Sequence, residues 1–167
     1  MEIRPLQEQD VRPIAAAFAA LGWNKPESQY RRYLEEQAAG KREVLVALVA
    51  GAFAGYLTIV WESSYRPFRE EGIPEIVDFN VLPHFRRRKI GTALMDAAEA
   101  RVGMRSAVAG IGVGLTPDYG PAQRLYVLRG YVPDGRGLTY DRVPVEYGMQ
   151  IAVGDRLVLH LTKQLRT

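Results

Sequence analysis

The sequence predicts an α/β fold, on three observations. Amphipathic helical segments and β-rich runs alternate along the chain. An apolar strand candidate over residues 76–82 leads through a basic run into a helix, and a glycine-alternating strand over 108–115 precedes a short helix bounded by Pro121 and Gly130. At 167 residues, 47% hydrophobic and 25% charged, the chain is ordinary globular material with enough length for one core. Residues 1–167 therefore read as a single domain.

Residues 2–6 open as a short strand, and Asp10 is a cap candidate for the helix that follows. Val11, Ile14, Ala15, Phe18 and Leu21 recur at spacings of three and four, which predicts an amphipathic helix ending at Gly22. A second helix runs from Pro26, suited to a first helical position, through Tyr30, Tyr33, Leu34 and Gln37 to a stop at Gly40. Residues 44–49 and 52–61 form a hairpin about Ala50-Gly51, with Gly55 marking a bend or a close backbone approach. Residues 62–72 are polar and aromatic without periodicity, so they read either as a functional loop or as a variable surface excursion.

The stretch over 74–95 organises the rest. The strand ends at a proline, four cations follow (Arg86, Arg87, Arg88, Lys89), and Ile90, Gly91, Thr92 and Ala93 open a helix. Cations at a helix N-terminus oppose its dipole, so the arrangement has the wrong sign for a helix standing alone. The conflict disappears if an anion sits there, held by unpaired backbone N–H groups and the basic side chains together. These residues therefore read as a phosphate or pyrophosphate cradle; the alternative is a solvated basic surface. No G-x-x-x-x-G-K-[ST] occurs, and Leu115 stands where the dinucleotide pattern would need its third glycine.

Strand side chains alternate, so Gly110, Gly112 and Gly114 leave one face of the 108–115 strand bare, and either a ligand or a packed element must approach it. Pro121 and Gly130 then bracket a short helix carrying Tyr126. Beyond it, 141–154 is irregular, with Tyr140 and Tyr147 at or near it, and 157–162 is β-like and expected to close the sheet as an antiparallel strand.

Composition removes several kinds of chemistry. There is no cysteine, hence no disulfide, thiolate nucleophile or cysteine-held metal, and His84 and His160 alone cannot build a multi-histidine metal centre. No apolar run approaches the roughly 20 residues that cross a bilayer, and the N-terminus lacks a signal-peptide core, so a cytoplasmic protein without membrane contact is expected. A net charge of +3, concentrated at 86–89, suits one anionic cofactor better than a nucleic acid.

Residues 81–95 resemble the acetyl-coenzyme A binding segment of the GNAT superfamily of N-acetyltransferases, with its [QR]-x-x-G-x-[GA] core. Arg86 and Gly91 match its ends, and Lys89 stands where its first glycine is usual. Residues 121–131 resemble the family's A-x-x-L-Y-x-x-x-G-[FY]: Ala122, Leu125, Tyr126, Gly130 and Tyr131 all fit, with Tyr119 in place of a frequent asparagine. The two motifs cover residues 74–132; the first 70 match in element order only.

The resemblance implies a three-layer α/β/α fold with a mixed, mostly antiparallel central sheet. It implies acetyl-CoA as cosubstrate, without a metal, bound through Asn80, Val81, Arg86, Arg87, Arg88, Lys89, Ile90, Gly91, Thr92 and Ala93. It favours a ligand against the glycine face, and an acceptor site flanked by the first two helices, Trp23-Asn24-Lys25, Trp61, Tyr65 and Phe68. The implied reaction is direct transfer to a primary amine in a ternary complex. A small molecule is the first choice, a protein N-terminus or lysine the second, and a non-catalytic CoA sensor is the alternative of another class. Residues 141–154 would cover the acceptor or form a homodimer contact.

Such a transfer needs a neutral amine, a stabilised oxyanion and a proton for the departing thiolate. Tyr126, with a free pKa of about 10, is the implied acid; otherwise it is a core tyrosine. An alkylamine of pKa about 10.4 must lose a proton first. Glu75 or Asp78 could take it, and being three apart on a regular strand they would face opposite ways, the other being a surface or paired carboxylate. The oxyanion donor would be a backbone N–H near Val81.

Overall fold

The computed structural model describes residues 1–165. In chain order the elements are β1 (Glu2–Pro5), α1 (Val11–Ala19), α2 (Glu27–Ala38), β2 (Arg42–Val49), β3 (Ala52–Val60), α3 (Arg66–Glu70), β4 (Glu75–Val81), α4 (Ile90–Gly103), β5 (Val108–Gly114), α5 (Gly120–Leu128), β6 (Val132–Tyr140), β7 (Val143–Pro144) and β8 (Leu157–Gln164). Short 3-10 turns lie at Glu8–Asp10, Pro83–Phe85 and Pro117–Tyr119. Two units result: Met1–Trp61 with Val77–Arg101, and Glu62–Ile76 with the chain from Val102 onward. The strand pairs are antiparallel except β4 with β5, which is the mixed, mostly antiparallel sheet expected.

In the first unit β1 pairs with β2 and β2 with β3, and the end of β4 lies beside β3. Ala50 and Gly51 both have positive φ (49° and 79°), the two-residue turn whose twist matches that of the strands it joins. Val11, Ile14 and Phe18 of α1 and Tyr30 and Tyr33 of α2 are buried against Val44, Val46, Tyr56 and Leu82. Leu21 stays exposed because α1 stops at Ala19 and the chain turns at Gly22. Asp10 caps differently from expectation. Its carboxylate accepts the Gln7 amide at 2.8 Å and the Arg4 guanidinium at 2.7 and 2.9 Å, closing the turn before α1 instead of binding an α1 amide. Gly55 does mark a close approach, since a Cβ there would lie 2.5 Å from the Asn80 carbonyl oxygen.

In the second unit Glu75 and Ile76 of β4 pair in parallel with Gly110 and Ile111 of β5. β8 is the antiparallel strand expected, but it pairs with β5 on one side and β6 on the other, so β6 and β7 lie beyond it in the sheet. β6 itself carries Pro133, Gly135 and Gly137, residues that spell a loop; a register shift between Pro133 and Leu138 lets them stay in a strand.

Residues 62–72 divide, with Glu62, Ser64, Arg66 and 69–72 exposed and three side chains turned into the protein. Ser63, Tyr65 and Phe68 are buried, and Tyr65 and Phe68 cluster with Ile73. This packing settles the bare face of β5. A Cβ at Gly110 would lie 2.3 Å from the Phe68 ring, one at Gly114 2.4 Å from the Tyr119 ring, and one at Gly112 2.9 Å from Val158 Cγ1. The glycines make room for side chains of the protein, which corrects the expectation of a ligand there. Among the described residues no helix is long and apolar enough to cross a membrane.

Candidate functional site

The basic run leaves the strand through the Pro83–Phe85 turn and enters α4 at Ile90. Arg87 and Lys89 both take φ of 60°, so Lys89 adopts the left-handed conformation that glycine would take with less strain. The two left-handed residues flank Arg88. The Lys89 carbonyl accepts the Ala93 amide at 3.0 Å, which starts the helical ladder and leaves the amides of Ile90, Gly91 and Thr92 without intrahelical partners. Arg86 Nε donates to the Val81 carbonyl at 3.3 Å, Arg88 lies over the Phe85 ring, and all four basic side chains are exposed. Gly91 is tight against the strand: a Cβ there would meet the Phe79 ring at 3.1 Å. These features fit a phosphate-bearing ligand, with four exposed cations beside the unpaired amides of a helix start and no acidic side chain within the run.

In the same unit Asp78 has a φ of 53°, a break in the pleat of β4. The opposite-face argument for Glu75 and Asp78 assumed a regular strand and does not hold through such a break. Asp78 Oδ1 accepts Lys25 Nζ at 2.6 Å and Asn80 Nδ2 at 2.9 Å. Its Oδ2 accepts Gln29 Nε2 at 3.0 Å, the Tyr33 hydroxyl at 2.9 Å and the Tyr56 hydroxyl. A carboxylate offers about four lone-pair sites, so this one is saturated. Burial pushes the Asp78 carboxyl up, but the Lys25 charge and the hydrogen bonds from Lys25, Tyr56 and Tyr33 outweigh it, leaving the group below the usual range. Burial, with Asp78 nearby, pushes Tyr30, Tyr33 and Tyr56 up, so all three remain protonated at neutral pH. As it stands, Asp78 is a weak proton acceptor and a strong holder of cations.

Glu75, in the second unit, is only 2% exposed. It accepts the Ser63 hydroxyl and Arg142 Nη1, the latter at 3.1 and 3.2 Å. Arg142 reaches it from the β6–β7 turn, where Asp141 and Arg142 both have positive φ. His160 Nε2 lies 3.9 Å from Glu75, and its ring stacks on Tyr65 with centroids 3.6 Å apart. Burial and then the Arg142 charge push His160 down to about 4, so at neutral pH it carries no charge and the approach to Glu75 is no ion pair. Its Nδ1 has no hydrogen-bond partner among the described residues. As expected, His160 is a sheet residue, and His84 lies in the turn before the basic run, against Phe85.

Tyr126, on α5 of the second unit, is 5% exposed, with its ring 6.0 Å from that of Tyr131. Burial, and to a lesser degree Tyr119, push its hydroxyl up, so it is a proton donor at neutral pH. Gly130, with φ of 89°, ends the helix and turns the chain into β6. Tyr119 spends its hydroxyl on Asp155, at 3.0 Å, and its ring on the gap at Gly114.

Sequence reasoning missed Gln29 and Tyr56 as partners of Asp78, and Ser63 and Arg142 as partners of Glu75. The sequence places Tyr33 on a helix face and Lys25 beside the acceptor site without pairing either with Asp78; an unusual tyrosine density near one lysine is the available signal.

A family model described as "Acetyltransferase (GNAT) family" matches residues 9–131. No curated protein sequence matches the chain significantly. The fold is similar to that of the ribosomal-protein-alanine N-acetyltransferase of Brucella melitensis, with 19% identity, a TM-score of 0.71, and 98% of this chain and 99% of that one covered. It is similar to yncA of Salmonella typhimurium, solved with its cofactor acetyl-CoA, at 18% identity and a TM-score of 0.68, covering 100% and 95%. An aminoglycoside 6'-acetyltransferase of type Ii shares it at 14% identity and a TM-score of 0.68, covering 100% and 99%.

Proposed function

This chain belongs to the acetyltransferase (GNAT) family, and from that membership we propose that residues 1–167 act as one N-acetyltransferase domain, transferring acetyl from acetyl-CoA to a primary amine by direct attack. The observation that carries the proposal is the strained basic loop ahead of α4. Arg87 and Lys89 hold left-handed conformations that cost about 1 kcal/mol or more each, in a loop whose charge opposes the helix dipole. A bound pyrophosphate offsets both terms. Arg86, Arg87, Arg88 and Lys89 would hold it, with the amides of Ile90 to Ala93, while Asn80 and Val81 line the acyl end. The acetyl-CoA bound to the similarly folded Salmonella protein supports this ligand.

Acetyl-CoA, when bound, supplies the acetyl group as an activated thioester. Tyr126, kept protonated by burial, would donate the proton that the leaving sulfur requires. A backbone N–H near Val81 faces the charge that develops on the carbonyl oxygen. Of the two carboxylates, Asp78 suits holding the acceptor's cation, since the donors around it keep it ionised. Glu75 remains the candidate for removing the amine proton, directly or through water. A small-molecule amine is the preferred acceptor, because the Asp78 slot, which holds the Lys25 side chain between the rings of Phe18 and Tyr56, has the shape and charge for an unbranched alkylammonium. A protein lysine or N-terminus is the second reading, favoured by the Brucella enzyme of the same fold.

Calorimetry with acetyl-CoA on wild type and on Arg86→Ala/Arg88→Ala/Lys89→Ala tests this. Hydrogen bonds to charged groups contribute roughly 1.5–3 kcal/mol each, so the triple variant should bind at least 100-fold more weakly. A panel of alkylamines, aminoglycosides and N-terminal-alanine peptides then names the acceptor. Equal affinity in both proteins would remove the cradle, and no binding to wild type would remove the reaction.

A further inference from the structure

The Asp78 slot already holds an amine. Lys25, on the connection between α1 and α2, places Nζ 2.6 Å from Asp78 Oδ1 and 3.2 Å from the Tyr56 hydroxyl. The same nitrogen lies 5.5 Å from the Phe18 ring centroid and 5.7 Å from that of Tyr56. Trp23, two residues earlier, stacks on Phe18 and braces the connection, and Pro26 opens α2 directly after it. Lys25 and Asn80 donate to one oxygen, so the lysine nitrogen shares a hydrogen-bond acceptor with a residue assigned above to the acyl end of the cofactor site.

A purely structural cation here would be better served by arginine, which is always charged and forks across a carboxylate. Arginine is the chain's habit: of its 22 basic residues the lysines are Lys25, Lys41, Lys89 and Lys163, and Lys25 is set in a carboxylate and aromatic cage. Lysine differs from arginine in being able to shed a proton and act as a nucleophile.

We propose that Lys25 is a modification site, the protein's own acceptor, acetylated on Nζ within the same molecule. The inference rests on the reading above that acetyl-CoA lies along Asn80, Val81 and the cradle. In the step, the Lys25 ammonium gives one proton to solvent and its nitrogen attacks the acetyl carbon. The new C–N bond forms as the C–S bond breaks; the thiolate takes a second proton from the nitrogen by way of the active-site acid, and the third stays on the amide. The products are Nζ-acetyl-lysine and free coenzyme A. Acetylation abolishes the Lys25 charge and so empties the Asp78 slot of its cation, which lets an external ammonium enter.

The test is peptide mass mapping of the full-length protein after incubation with acetyl-CoA carrying an isotope-labelled acetyl group, with turnover of the amine panel measured on the same sample. Label at Lys25 should exceed that at the more exposed Lys41 at least tenfold, and its rate should not change with protein concentration. Label at Lys25 no greater than at Lys41, or a rate proportional to protein concentration, overturns the inference. If amines turn over while Lys25 stays unlabelled, the inference falls alone; if acetyl-CoA does not bind, the parent reading falls with it. A second readout needs no cofactor. In Lys25→Ala, n-butylamine should occupy the vacated slot and raise the melting temperature by several degrees, with no such shift in wild type. Equal shifts, or none in the variant, refute the slot itself.

Discussion

Lys89→Gly should make the protein more stable while weakening its hold on acetyl-CoA, and the comparison with Lys89→Ala isolates the reason. Lys89 sits at φ of 60°, where an L-residue with a Cβ loses roughly 1–2 kcal/mol relative to glycine. Glycine's larger freedom in the unfolded chain returns about 0.5–1 kcal/mol of that. Both substitutions remove the same cation from the start of α4, so the charge term cancels between them. The difference left is the backbone term, about 0.5–1 kcal/mol in favour of glycine. At an ordinary helical position the sign is the reverse, with alanine ahead by a similar amount. For a chain of this size the gap corresponds to about 1–4 °C in melting temperature, and urea unfolding at fixed m-value reads it directly. Acetyl-CoA affinity should fall about tenfold in both variants. Lys89→Ala as stable as Lys89→Gly, or more so, would refute the claim that the loop stores backbone strain for its ligand.

Tyr126→Phe should lower kcat by about 10²–10⁴-fold with acetyl-CoA affinity within a few-fold of wild type; unchanged kcat on the best amine removes Tyr126 as the acid. Gly114→Ala and Gly110→Ala drive a methyl group into the Tyr119 and Phe68 rings and should each cost about 1–3 kcal/mol in urea unfolding; free tolerance of alanine would mean the rings do not fill that face. His160 is held down to about 4, below its unfolded value near 6.5. Its contribution is therefore complete above pH 6.5 and is lost as pH falls from there through about 4, because the unfolded chain takes up the proton first. Stability measured across that window should decline in wild type, and the decline should be shallower in His160→Gln; superimposable profiles would show that His160 is not the group responsible.

Much of the fold was legible because its signals are local. Ile90, Leu94, Ala98 and Val102 recur every four residues along α4 and are buried as that period demands, and Gly22, Gly40 and Gly130 end their segments with positive φ. The Ala50-Gly51 turn and the close approach at Gly55 were equally readable. Where the reading failed, a distant partner overrode a local cue. Residues 62–72 look polar and aperiodic until Phe68 is seen filling the gap at Gly110.

The candidate site divides along the same line. The sequence by itself determined the basic run ahead of α4, its conflict with the helix dipole and the tyrosine-bearing helix between Pro121 and Gly130, since each is an affair of neighbours within a dozen residues. Only the tertiary structure decided what surrounds the carboxylates. Asp78 meets Lys25 across 53 residues, Gln29 across 49 and Tyr33 across 45, and Glu75 meets Arg142 across 67. A carboxylate's proton affinity depends on burial and on charges within a few ångströms. Those neighbours arrive from other elements when the chain folds, so no spacing along the sequence could have told which donors surround each carboxylate.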